Sequence, residues 1–390
     1  MNIFTPMVTL PISMECEERH KDDSTEDRRE QMLEIACFIT PHGFGHATRM
    51  TAVLEALQKR IPRLHPHLFT TVPHSLFAET LNTFSYYLLS CDIGLVQKNG
   101  LQADLPATIK RLDSFLPFQE SLLDELAEKI ADCKLVLCDI APLGLAVAKK
   151  AGIASVLIEN FTWDWIYKAY LAKYPELKAA IDYLAAEYQK ADLHIRCQPY
   201  CGDTQGDFEC SPIFRTIPSN RMDTRKRLHC SNRRTVLISM GGIDLELPFI
   251  QLLPAIKDTF FILAGQKETR TLGKNIQLLA RDSNYYHPDL INASDLVICK
   301  SGYSTIAECV QAGVPIATVG RTRFPESITL EQFTITQLNG LTLQRAEFLS
   351  GSWLKKLNQL CSKRPKNIIK PNGADSLADF LCRTVFLKTP

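Results

Sequence analysis

His46 stands in the segment Pro41-His42-Gly43-Phe44-Gly45-His46-Ala47-Thr48-Arg49, between the apolar run IACFIT (35–40) and the helix-forming stretch MTAVLEALQKR (50–60). Glycines at a strand-to-helix turn, here Gly43 and Gly45, let the backbone approach a ligand closely. The first N–H groups of the helix that follows are free and carry partial positive charge. That positive end disfavours an imidazolium, so His46 is placed to take a proton from a hydroxyl. The competing reading is a histidine that only caps or packs the turn, and spacing alone divides the two evenly.

A second turn of the same kind lies in the C-terminal half. The run Asp295-Leu-Val-Ile-Cys ends in Lys300-Ser301-Gly302, and a helix opens at Tyr303-Ser304-Thr305-Ile306-Ala307-Glu308. Its N–H groups, with the hydroxyls of Ser301, Ser304 and Thr305, suit a diphosphate. Glu308, one turn inside, suits two ribose hydroxyls. Lys300 adds positive charge unless it pairs with Asp295. Taken alone, the segment reads first as a serine-rich cap with a glutamate complementing the helix dipole, and the ligand reading gains ground from the matching turn in the other half. A third turn, Ser239-Met240-Gly241-Gly242, follows another apolar run and could admit phosphate or sugar. The dinucleotide fingerprint G-x-G-x-x-G and the phosphate loop G-x-x-x-x-G-K-[ST] are both absent, which argues against an NAD enzyme and a P-loop ATPase.

Other reactive residue types read more plainly. His194, Cys197, Cys201 and Cys210 fit no common zinc spacing, so no metal is expected and a loop with incidental cysteines is favoured. Trp163 and Trp165 read as core before they read as sugar platforms. His42 shapes its turn, His287 opens a helix before Pro288, and Arg225-Lys226-Arg227 is a solvated face.

The elements that must hold these turns alternate. Short apolar runs such as LFTTV (68–72), LVLCD (135–139), ASVLI (154–158), TVLISM (235–240) and PIATV (315–319) have strand length. Helix-like stretches lie between them, including 106–131, 142–151, 176–190, 246–257, 303–312 and 328–338. Such alternation predicts an α/β chain with parallel sheets covered on both faces. It breaks at 198–233, rich in Pro, Gly, Ser, Asn and charge. The expected organisation is an acidic extension over 1–32, a Rossmann-like domain over 33–205, a linker over 206–233 and a second Rossmann-like domain over 234–370. A last segment, 371–390, carries a helix. Two such domains face a cleft, where the carboxyl ends of their strands collect the ligand.

The 390 residues carry 44 Lys+Arg against 43 Asp+Glu, a formal charge of +1. That near-neutral total argues against nucleic-acid wrapping or an anionic membrane coat. It is uneven, however. Residues 15–30 hold eight acids and four bases with no aliphatic or aromatic residue, leaving 40 bases and 35 acids in the remainder. Such a stretch cannot bury enough apolar area to offset the entropy of ordering it. No run of 18 apolar residues occurs, so no membrane span is expected. The 13 cysteines form no C-x-x-C pair and mostly sit in apolar runs, as buried thiols in a cytoplasmic protein.

Taken together the turns resemble those of GT-B glycosyltransferases. The chain is more similar to MurG-like proteins, and most similar to the glycosyltransferase-like N-terminal region of L-arabinokinases. The residues that carry this are ITPHGFGHATR (39–49), Ile158-Glu159-Asn160-Phe161-Thr162-Trp163-Asp164-Trp165-Ile166-Tyr167, IRCQPYC (195–201), SMGG (239–242), KSGYSTIAE (300–308), Gly313-Val314-Pro315, Arg323-Phe324-Pro325-Glu326 and Asn372-Gly373-Ala374. They occur in the same order across about residues 35–385.

The resemblance implies the two-domain GT-B fold, with the last helix crossing back onto the N-terminal domain. It implies a nucleotide-sugar donor, UDP-linked, on the C-terminal domain and no other cofactor. Ser301 and Gly302 would hold the diphosphate, Glu308 the ribose and Glu326 the sugar hydroxyls. Asn160, Trp163, Asp164 and Trp165 would line the acceptor side, and His46 would be the base. The implied reaction is an inverting, metal-independent hexosyl or N-acetylhexosaminyl transfer to a hydroxyl acceptor. Peripheral membrane contact is compatible with it. An epimerase or hydrolase of the same fold, and a non-catalytic nucleotide-sugar binder, are the alternatives. Two departures stand out. No G-L-G-S-S loop occurs, so sugar phosphorylation is not expected. The usual Gly-Tyr-Gly-Thr is Gly302-Tyr303-Ser304-Thr305 here.

Overall fold

The computed structural model describes residues 32–99, 102–241, 247–321, 324–365 and 371–386. Residues 1–31 of the expected extension, Gly242 and Arg323 lie outside them.

The apolar runs form strands because both faces find cover. Ile35–Ile39 and Val136–Cys138 are completely buried, as parallel strands under helices on both sides must be. The first sheet contains β1 (Leu33–Ile39), β2 (Leu64–Thr70), β3 (Ser85–Leu88), β4 (Val136–Asp139), β5 (Ser155–Glu159), β6 (Leu193–Cys197) and β7 (Phe208–Cys210). Its order is β3-β2-β1-β4-β5-β6-β7, parallel throughout.

The second sheet contains β8 (Arg234–Ser239), β9 (Thr259–Gln266), β10 (Arg270–Leu272), β11 (Ile276–Ala280), β12 (Leu296–Lys300), β13 (Ile316–Val319) and β14 (Leu341–Leu343). Its order is β10-β11-β9-β8-β12-β13-β14, with only β10 antiparallel to its neighbour. In each sheet the order reverses beside the first strand of the domain, between β1 and β4 and between β8 and β12. The turns singled out in the sequence follow β1, β8 and β12, so they open at these two reversal points.

Three boundaries differ from expectation. Residues 208–210 were assigned to the linker but add β7 to the edge of the first sheet, where Cys197 is in register with Cys210. The expected helix over 106–131 is two helices, Leu105–Phe115 and Glu120–Lys129, interrupted at Leu116-Pro117, because proline removes a donor and restricts the residue before it. The expected helix over 246–257 is a tighter 3-10 turn, Pro248–Ala255, with Pro254 inside it.

Helix Gly373–Leu381 leaves the second domain and packs on helix Phe44–Arg60 of the first. Leu377 and Leu381 are fully buried there. Arg60 Nε donates to Asp379 at 2.6 Å and Arg60 Nη1 to Asp375 at 3.2 Å. The ion pairs are solvent-exposed and contribute little; the leucines carry the contact. Leu377→Ala is expected to lower the unfolding free energy by about 3 kcal/mol, read as a lower urea midpoint. An unchanged midpoint would show that this helix is not part of the core.

Candidate functional site

Helix Phe44–Arg60 begins earlier than the sequence implied, with Gly43 as its N-cap at φ 81° and ψ 176°. That backbone conformation is open to glycine and strained for other residues. His46 therefore lies within the first turn, and Arg49 lies three residues on, on the same face. Both point at Asp139, the last residue of β4.

Asp139 is fully buried and Arg49 is 1% exposed. Arg49 Nε donates to Asp139 Oδ2 and Arg49 Nη2 to Asp139 Oδ1, each at 2.7 Å, a bidentate pair. His46 Nδ1 lies 2.8 Å from Asp139 Oδ1. Burial alone would raise the Asp139 carboxyl, but the Arg49 charge, its hydrogen bonds and His46 outweigh that and hold it below its ordinary value. An ionised carboxylate only accepts, so Nδ1 carries the hydrogen and Nε2 is the basic nitrogen. Among the described residues His46 Nε2 has no hydrogen-bond partner.

The network continues across the cleft. Arg49 Nη1 donates to Asn160 Oδ1 at 2.7 Å, and Asn160 Nδ2 donates to Glu326 Oε1 at 2.7 Å. Asn160 follows β5 in the first domain, and Glu326 opens helix Pro325–Thr336 in the second. The Arg49 guanidinium also lies 4.9 Å over the ring of Tyr303, the first residue of helix Tyr303–Ala312. His46, Asn160 and Glu326 are thus gathered into one site.

The donor-side residues are distributed less simply. Ser304 Oγ donates to the carbonyl of Gly45 at 2.6 Å, and Thr48 Oγ1 lies 2.8 Å from Ser304 Oγ. A Cβ on Gly45 would come within 3.3 Å of that hydroxyl, so glycine permits the close approach of the two turns. Ser301 is fully buried, with its hydroxyl 3.3 Å from the Val319 carbonyl and 3.0 Å from Glu331 Oε1.

Glu308 does not offer a free carboxylate to a ribose. Its Oε1 accepts from Arg215 Nε at 3.0 Å and its Oε2 lies 2.8 Å from His287 Nδ1. His287 Nε2 in turn lies 3.0 Å from Ser239 Oγ. Burial would raise Glu308, but Arg215 and then His287 hold it below its ordinary value. Arg215 also donates to Glu79 at 3.0 Å, so the chain of contacts reaches the first domain.

Lys300 does not pair with Asp295, which is taken by Arg221 and Arg225 instead. The Lys300 side chain crosses Gly241, whose φ is +72° and where a Cβ would collide with Lys300 Cε. Burial, then Arg321, push the Lys300 ammonium down to about 7, against the pull of Glu326. Gly302 caps the helix without a side-chain hydrogen bond, leaving its first N–H groups without a side-chain acceptor. Thr305 is partly exposed one turn along.

The aromatic acceptor-side residues differ in burial, Trp163 being buried and Trp165 partly exposed. Trp163 is 1% exposed, and its Nε1 donates to Asp92 Oδ2 at 3.0 Å. Asp164 is paired with Lys168 at 2.7 Å. Trp165 packs beside Gly202. His42 stacks with the Phe324 ring, centroids 5.9 Å apart, and burial, then Arg321, His46 and Lys300, keep it well below its ordinary value. His194 contacts Glu159 at 2.9 Å. Among the described residues no group of three or more His, Cys, Asp or Glu side chains is gathered as for a metal ion.

Sequence reasoning missed Asp139, Arg49, Arg321 and the His287 side chain. Asp139 had a signal, a lone carboxylate closing the apolar run LVLCD next to the β1 turn. Arg49 repeats His46 at helical spacing. Nothing local marked His287.

Residues 258–375 match the Glycosyltransferase family 28 C-terminal domain. The chain is 28% identical over 371 residues to the L-arabinokinase of Arabidopsis thaliana, an alignment that takes in 90% of this chain and 34% of that protein. The chain therefore spans about a third of that relative's length. The calicheamicin glycosyltransferase CalG4 superposes with a TM-score of 0.61 at 15% identity, covering 92% of this chain and 100% of that one. MurG of Acinetobacter baumannii superposes with a TM-score of 0.53 at 15% identity, covering 91% and 100%.

The fold is GT-B. In this GT-B chain the buried ion pair sits on the first domain, with Arg49 against the Tyr303 ring of the second. Among the described residues no helix is long and apolar enough to cross a membrane.

Asp139→Asn leaves the buried Arg49 charge without its partner and is expected to destabilise the protein by about 3 kcal/mol. The pH dependence has a definite sign. Because folding lowers the Asp139 pKa, its contribution is complete above about pH 4 and is lost as pH falls through the lower folded value. Denaturation between pH 5 and pH 2 checks this: the variant should lack part of the wild-type acid loss. Equal acid slopes would contradict it.

Proposed function

We propose that this chain transfers a sugar from a nucleoside diphosphate sugar, UDP-linked, to a hydroxyl acceptor, with inversion at the anomeric carbon. The observation that carries the proposal is the His46–Asp139 contact at 2.8 Å, which turns Nε2 into the basic nitrogen at a glycine turn of the cleft. The neighbours' shared fold and the family 28 match in the donor half support the same reading.

In the proposed reaction His46 Nε2 takes the proton of the acceptor hydroxyl as its oxygen attacks the anomeric carbon. The bond to the diphosphate breaks, and its electron pair leaves with the phosphate oxygen. Asp139 holds the imidazole ring and stabilises the imidazolium as it forms, while Arg49 keeps that carboxylate ionised. Glu326, steadied by Asn160, faces the transferred sugar. Positive charge for the leaving group comes from Lys300 and the uncapped helix start at Gly302, so the scheme calls on no metal. The proposal sets the reaction in the cytoplasm, where the buried thiols stay reduced.

Turnover of a nucleotide-sugar against a panel of hydroxyl acceptors tests this. His46→Ala should lower kcat by about 100-fold or more, with donor affinity retained. A variant with undiminished kcat would remove His46 from the reaction.

A further inference from the structure

The transfer reaction proposed above makes no use of Ser239, His287 or Glu308, yet these three side chains stand in a chemically competent order. Ser239 ends β8, His287 opens the helix His287–Ala293, and Glu308 lies in the helix Tyr303–Ala312. Ser239 Oγ lies 3.0 Å from His287 Nε2, and His287 Nδ1 lies 2.8 Å from Glu308 Oε2. Glu308 is buried. Burial would raise its carboxyl, but Arg215 and then His287 hold it below its ordinary value. An ionised carboxylate only accepts, so Nδ1 carries the ring hydrogen and Nε2 is left to accept the Ser239 proton. Hydroxyl, imidazole and carboxylate are thus each within hydrogen-bond reach of the next, which is the geometry of an activated serine nucleophile.

The backbone beside the hydroxyl carries a second, independent feature. The ladders to β9 and β12 both end at Ser239, which is in register with Ala264 and Cys299. The chain then leaves the sheet through Met240 and Gly241. Among the described residues the N–H groups of Met240 and Gly241 have no hydrogen-bond partner. Unpartnered donors in the turn next to a nucleophile are what a tetrahedral oxyanion requires. Ser239 is 6% exposed, whereas the His287 side chain is 26% exposed. Only a small acyl group reaches the hydroxyl, and the alcohol it is released from leaves past the imidazole. A purely structural brace needs neither the free N–H groups nor the open imidazole edge.

We propose that Ser239, His287 and Glu308 form a second catalytic centre, which hydrolyses small carboxylic esters such as an acetyl group on a hydroxyl. Ser239 Oγ attacks the ester carbonyl carbon while its proton passes to His287 Nε2. The bond from that carbon to the alcohol oxygen breaks, and the departing oxygen takes the proton from Nε2. Water then attacks the acyl-serine and gives a proton to Nε2. The bond to Oγ breaks, and the proton returns to Ser239, leaving a carboxylic acid and an alcohol. Glu308 acts through His287 as the positioning residue, and Arg215 keeps its carboxylate ionised.

Hydrolysis of p-nitrophenyl acetate by the full chain tests the centre, with diisopropyl fluorophosphate and peptide mass mapping to locate the nucleophile. Wild type should hydrolyse the ester and carry the phosphoryl adduct on Ser239. Ser239→Ala and His287→Gln should each lower the hydrolysis rate by about 100-fold or more. Glu308→Gln should lower it too, with partial recovery in Glu308→Asp, which a merely structural role would not give. Rates in Ser239→Ala and His287→Gln equal to wild type would overturn the proposal and leave the three side chains as a brace only. An adduct on another residue, or none, would overturn it as well. Thermal melts control for folding. Should Glu308→Gln not fold, because it leaves the buried Arg215 charge without its partner, Ser239→Ala and His287→Gln decide the question. Titration of wild type with uridine diphosphate reads the donor site separately, so failure of one reading does not carry the other with it.

Discussion

A guanidinium with almost no access to water stands at the centre of this molecule. Arg49 is 1% exposed, and a buried charge is tolerated only where its partners are placed well. It satisfies that demand with Asp139, Asn160 and the face of Tyr303. Those partners come from the end of β4, from the segment after β5 and from the first residue of a helix in the other domain. A single side chain therefore links three elements drawn from both domains. Its position also sets the His46 ring, because Asp139 serves both. Through Asn160 it reaches Glu326, so the proposed base and the proposed sugar-binding carboxylate belong to one hydrogen-bonded chain.

The two halves of the cleft are prepared differently. On the side of the first domain the polar groups are paired, rigid and oriented, as a general base requires. On the side of the second domain the hydroxyls of Ser301 and Ser304 are spent on the protein itself. Ser304 is the clearest case. A glycine there would contribute no side chain; serine binds the Gly45 carbonyl and ties the donor helix to the turn that carries His46. Glu308 is similarly absorbed, joining Arg215, His287 and Ser239 into a brace that reaches Glu79.

Much of this was legible in the sequence. The strand-helix alternation, the two reversal-point turns and the helix at 303–312 follow from apolar periodicity and glycine placement, which are local properties. What was hidden depends on distant partners. Asp139 looks like the end of an apolar strand until Arg49, 90 residues away, is brought against it. His287 looks like a helix start until Glu308 and Ser239 meet its two nitrogens. The partners of Glu308 were hidden for the same reason: its spacing suggests a ribose, and Arg215 arrives from the connecting segment to engage it. The Phe208–Cys210 strand escaped because a short edge strand in polar surroundings carries no periodic signal.

The central claim is that the cleft binds a nucleotide-sugar. Thermal unfolding of the full chain across a panel of nucleoside diphosphate sugars measures it directly, because a ligand at free concentration L that binds only the folded state stabilises it by RT ln(1 + L/Kd) and so raises Tm. The account predicts a concentration-dependent rise with at least one such sugar, and with the matching nucleoside diphosphate. An unchanged Tm across every nucleotide-sugar and nucleoside diphosphate tested would contradict it.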